Sequence, residues 1–175
     1  MRAVVVVMEL NTRTTVGLLS ATALGWSAIT GALSAFGHDD HGHHNGRTLL
    51  QSTIAPTVLS DPTIHGVTRG GAPWVLDRGQ VRLRQDGRLR LNVRGLIIPT
   101  LGNAGPVTTI SASLYCGADS TGAVATTASA PLSQQGDGTI RDRITLPAKC
   151  LAPIILVHPN GGAAAYIAAT GFETG

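Results

Sequence analysis

The chain has 175 residues, of which 43% are hydrophobic, 13% charged and 3% aromatic, with 22 glycines and a formal net charge of +3. This is too apolar and too weakly charged for a disordered chain, and its length suits one ordinary domain. The small basic excess does not by itself imply nucleic acid; Lys149 is the only lysine and the other cations are arginine, the usage expected of a GC-rich genome.

Arg2 and Arg13 precede an uncharged stretch from Val16 to Ala35, reading VGLLSATALGWSAITGALSA. A positive start, an apolar middle and a small-residue end predict a helical secretory signal over residues 1–35. Small residues allow cleavage after Ser34 or after Ala35. The run Val4 to Val7 ahead of Glu9 is odd for a signal, and Met8 is an alternative start. The competing reading is an uncleaved membrane anchor. The stretch is long enough to span, but its Gly, Ser and Thr make it a poor anchor. Both readings place the protein outside the cytoplasm, secreted or held at the envelope.

Residues 36–62 are polar and irregular and read as a flexible, His-rich linker. Within it, His38, His41, His43 and His44 stand beside Asp39 and Asp40. Imidazoles and carboxylates at this density chelate Cu, Ni or Zn, although a flexible chelate lacks the supporting contacts that give high affinity. Cleavage after Ala35 would also expose Phe36-Gly37-His38. An amine, two amides and a third-position imidazole make a square-planar site for Cu(II) or Ni(II). The plain alternative is a soluble spacer. No other cofactor is indicated.

Residues 63–175 read as a folded body of about seven or eight short strands separated by turn residues, an antiparallel β-sandwich or barrel. The clearest pair is Gln80 to Gln85 and Arg88 to Ile98, on either side of Asp86-Gly87. Val81 and Leu83 alternate with Arg82 and Arg84; Leu89, Leu91 and Val93 alternate with Arg88, Arg90, Asn92 and Arg94. A two-residue loop would pair Leu83 with Arg90 and mix the faces. A loop of Gln85-Asp86-Gly87, with Gly87 left-handed, pairs Leu83 with Leu89 and Val81 with Leu91, so it is preferred. It sets Arg82 opposite Arg90 and Arg84 opposite Arg88. With Arg94, and Arg78 just ahead, these arginines form a cationic face. Close cation pairs cost stability unless solvated or matched by anions. The face suits an anionic cell-wall polymer or membrane surface, or is simply a solvated face that resists aggregation. No aromatics interleave it, which argues against single-stranded nucleic acid.

Further strands are expected at Val107 to Cys116, Ala123 to Leu132, Thr139 to Leu146, Ile154 to His158 and Ala164 to Thr170. The run Ile154 to His158 is continuously apolar and reads as a central, buried strand. Cys116 and Cys150 are the two cysteines. In an exported chain they predict one disulfide, closing a loop of about 35 residues and stabilising by roughly 3–4 kcal/mol. Asp142 falls in phase with Ile140, Ile144 and Leu146, so it points inward. It either guards an edge strand or finds a partner such as His65, His158 or an arginine. His65 and His158 are the histidines of the body and read as structural. No Gly-x-Ser-x-Gly, HExxH or phosphate loop supports an enzyme.

Segments Trp74-Val75-Leu76-Asp77, Gly79 to Leu83, Asp86 to Leu89, Ser111 to Gly117, Leu146 to Pro153 and Leu156 to Gly161 carry a resemblance over about 100 residues. They resemble a group of small secreted proteins of GC-rich bacteria, which implies secretion and a β fold but no activity. The layout is also faintly similar to chordin-type extracellular β domains; that family's His-Ile-His-Gly is reduced here to Ile64-His65-Gly66, ahead of the hairpin instead of after it. The resulting expectation is a non-enzymatic extracellular or cell-envelope module that binds anions through Arg82, Arg84, Arg88, Arg90 and Arg94. Extracellular metal handling through the His-rich segment is the alternative.

Overall fold

The computed structural model describes residues 46–118 and 122–173. The predicted signal segment and the histidines at 38, 41, 43 and 44 lie outside them. Among the described residues there is no helix, and the body is all-β. The described residues hold eleven strands: β1 (Thr48–Pro56), β2 (Thr68–Arg69), β3 (Arg78–Arg84), β4 (Arg88–Arg94), β5 (Thr109–Tyr115), β6 (Ala125–Thr126), β7 (Ala130–Pro131), β8 (Gly138–Arg143), β9 (Ile154–Pro159), β10 (Ala165–Tyr166) and β11 (Ala168–Thr170). The main sheet runs β6-β5-β9-β11-β1-β3-β4-β8, with β7 also on β5.

β1 is the hinge of this sheet. Its first part pairs with β3 and its last residues, Ile54 to Pro56, pair with β11. One strand thus belongs to two layers, and the sheet curls on itself as in a sandwich with a shared corner. The alternation of β3, β4 and β8 sends Val81, Leu83, Leu89, Leu91, Val93 and Ile140 inward. There they meet Ile110, Ala112, Leu114, Ile155 and Val157 from β5 and β9 in one core. β2 and β10, a parallel pair, cover the other side of β5 and β9 over a smaller cluster of Val67, Tyr115, Leu156 and Tyr166.

The hairpin has the predicted register: Leu83 faces Leu89, Val81 faces Leu91 and Arg82 faces Arg90. Gly87 has φ +81°, the left-handed position the three-residue loop requires. A side chain there would run into the Ile144 carbonyl. β9 is central and buried between β5 and β11. The Cys116–Cys150 disulfide is formed, with Cα atoms 5.1 Å apart. It ties the end of β5 to the segment before β9, at the margin of the core.

Three expectations change. Residues 48–56, read as part of a flexible linker, form β1; the linker reading stops short of Thr48. Its alternation is hidden in the sequence because Leu49 is exposed beside half-buried Leu50, and polar Thr48 and Ser52 take the inward phase. The weak strand Ala123 to Leu132 becomes two two-residue strands, and between them the Thr127 hydroxyl accepts the Ala112 amide at 3.0 Å. The last strand is broken after Tyr166, because β10 turns to β2 while β11 stays with β9 and β1.

Candidate anion-binding face

Pairing of β8 with β4 is what builds the face. Arg90 lies opposite Arg82 on one side and Arg141 on the other; Arg88 lies opposite Arg143. Strand spacing is about 5 Å and same-face residues along a strand are about 7 Å apart. Six guanidiniums therefore occupy a lattice of two rows, Arg82–Arg90–Arg141 and Arg84–Arg88–Arg143. All six line one shallow groove of about 580 Å³. Beside it a second groove, about 450 Å³, carries Gln51, Thr53, Gln80 and Asn92.

Few carboxylates neutralise this field. Asp86 at the hairpin loop approaches Arg88 at 3.4 Å and Arg143 at 3.9 Å. Arg82 donates from Nε to the Thr48 hydroxyl at 3.2 Å. Among the described residues, neither Arg90 nor Arg141 makes an ion pair. A guanidinium offers a planar fork that grips carboxylate or phosphate bidentately. Six of them in a flat array present repeated anion sites rather than one enclosed pocket.

Arg82, Arg84, Arg88 and Arg90 are thus brought together. Arg94 is not part of the cluster: it faces Arg78 beyond a polar row of Gln80, Asn92 and Thr139, near Asp137. Arg141 and Arg143 were missed in the sequence. Their outward phase was legible from Ile140 and Ile144, but their partner strand was not.

Asp142 sits opposite Leu89 on the edge strand β8 and is half-buried. Its partner is neither a histidine nor an arginine side chain. The carboxylate accepts the Ala128 amide at 2.8 Å and the Arg143 amide at 2.7 Å, linking β8 to the segment between β6 and β7. His65 and His158 lie instead around Tyr115, His65 stacked on its ring at 5.1 Å and His158 tilted at 6.5 Å.

His158 is fully buried; Nδ1 meets the Ala165 carbonyl at 2.7 Å, and Nε2 has no hydrogen-bond partner among the described residues. Burial holds its pKa below the ordinary histidine value, and the bond to Ala165 offsets this only in part. The unfolded chain therefore binds the extra proton first, near pH 6.5. Stability should be level above about pH 7 and fall as pH drops below about 6.5, flattening once the folded imidazole also protonates, with a slope of at most about 1.4 kcal/mol per pH unit from this group. Urea midpoints of the wild type and H158Q between pH 5 and 8 check this. An equally steep curve for H158Q would assign the effect elsewhere.

Among the described residues, no group of three or more His, Cys, Asp or Glu is placed to hold a metal ion. Comparison with protein-family models, curated proteins and solved structures finds no match to this chain.

Proposed function

We propose that this chain is a non-enzymatic module of the cell envelope that holds an anionic wall polymer across the outer face of β3, β4 and β8. The observation that carries the reading is the two-row arginine lattice, whose like charges on adjacent strands are destabilising unless water or anions match them. A polymer with regularly spaced phosphates or carboxylates satisfies several guanidiniums at once. The neighbouring Gln51, Gln80 and Asn92 supply hydrogen bonds for hydroxyls of the same polymer. The disulfide supports an oxidising compartment, in line with the signal expected at the amino terminus.

The test is binding of purified phosphodiester wall polymer to the full chain and to R90E/R141E. Both residues are exposed, so the fold should be unaffected. At about 1 kcal/mol for each lost contact, affinity should fall about 30-fold or more. Raising salt should weaken wild-type binding steeply by screening. Binding that ignores salt and survives R90E/R141E would end this reading.

A further inference from the structure

The hairpin-tip end of the sandwich gathers features that the polymer reading leaves unused. An apolar slot of about 270 Å³ opens there, walled by Leu49, Leu50, Leu83, Leu146, Pro147 and Pro153. Two observations place it at the tip. Leu50 pairs with Leu83 beside the loop, and Leu146 follows Ile144, whose amide bonds to the Gly87 carbonyl at 3.0 Å. Apolar surface continues out of the slot into water: Leu49 is 48% exposed, and Leu151, next to the slot-lining Cys150, is 63% exposed.

Two exposed cations flank the same end. Lys149 lies between Ala148 and Cys150, which both line the slot. Exposed Arg47 runs alongside the hairpin, its carbonyl accepting the Gln85 amide at 2.8 Å. The slot is smaller than the roughly 300–1,000 Å³ of pockets that enclose a drug-sized ligand, which leaves room for a single chain segment.

We propose that the slot receives one acyl chain of an anionic lipid, with the lipid phosphate resting on the cations of the rim, so that the module stands tip-down on an anionic lipid surface. Charge complementarity selects this occupant. A neutral apolar partner would offer Arg47 and Lys149 no opposite charge, and a soluble anion would leave the leucines in water. The proposal turns on the slot and Lys149, so it stands or falls apart from the polymer lattice of Arg82, Arg90 and Arg141.

The full chain is titrated with short-chain phosphatidylglycerols kept below their aggregation concentration, while backbone amide resonances are followed. Signals of Leu49, Leu146 and Leu151 should shift. Affinity should rise about fourfold for each methylene buried, then level off when the slot is full. Phosphatidylcholine of equal chain length should bind at least several-fold more weakly, and inorganic phosphate should leave the slot signals in place. L49Q/A148W, altered at exposed lip positions, should lose at least tenfold in affinity; K149E, a surface change that cannot disturb packing, tests the charged half separately. R90E/R141E should keep the lipid response even where it loses the polymer. Slot signals that stay still, equal binding of phosphatidylcholine, or lipid affinity unchanged in both L49Q/A148W and K149E would overturn the proposal. Shifts confined to β3, β4 and β8 would overturn it too, by placing the headgroup on the lattice.

Discussion

Replacing both Cys116 and Cys150 by alanine should destabilise the body by about 3–4 kcal/mol. The bond spans 34 residues of sequence and links the end of β5 to the segment leading into β9. Without it the unfolded chain regains the freedom of that loop. Outside the strands, the backbone bond that holds segment 145–153 among the described residues is from the Gly117 amide to the Leu151 carbonyl at 2.7 Å, right beside the bridge. Loss should therefore appear twice. Urea unfolding should give an unfolding free energy lower by the full amount, with a thermal midpoint down by roughly 10–20 °C. Amide exchange should rise first in residues 145–153, before the sheet opens. A double variant within about 1 kcal/mol of wild type would mean that the bridge constrains little in either state.

Gly136→Ala should cost about 4 kcal/mol, more than a positive φ alone explains. Gly136 has φ +80°, and a Cβ there would collide with the backbone N, C and O of Leu96. That backbone is fixed: the Leu96 amide donates to the Gly136 carbonyl at 3.0 Å and the Leu96 side chain is fully buried. The left-handed conformation accounts for about 1–3 kcal/mol and the overlap for a comparable amount. Gly102→Ala is the internal control. Gly102 has φ +67° but nothing within 4 Å of an added Cβ, so its loss should stay near 1 kcal/mol. Urea midpoints of the two variants, measured together, separate conformational strain from collision. Equal losses would show that contact with Leu96 adds nothing.

The difference between these two glycines cannot be seen in the sequence, where both sit in polar turns. The same holds for the arginine face. Alternation told which way Arg82 and Arg90 point, and the same rule applied to Ile140 and Ile144 would have placed Arg141 with them, because side chains in a strand change sides at every residue. It did not tell that Arg90 stands between the other two, because that depends on β8 choosing β4 as its neighbour. The apolar slot is still less local, since Leu49, Leu83, Leu114 and Leu146 come from four separate stretches of chain.

What the sequence determined by itself is therefore local. The hairpin register from Val81 to Leu91 followed from keeping one face apolar, and the buried β9 from an unbroken apolar run. The cysteine pair followed from there being two cysteines in a chain expected, from its sequence, to be exported. Tertiary structure alone decided that Thr48 to Pro56 is a strand and that it bridges two layers. It also decided that Asp142 is held by the Ala128 amide. The reason is physical: a two-residue period fixes a face, but the neighbour is chosen by which distant segment buries that face and takes its backbone hydrogen bonds.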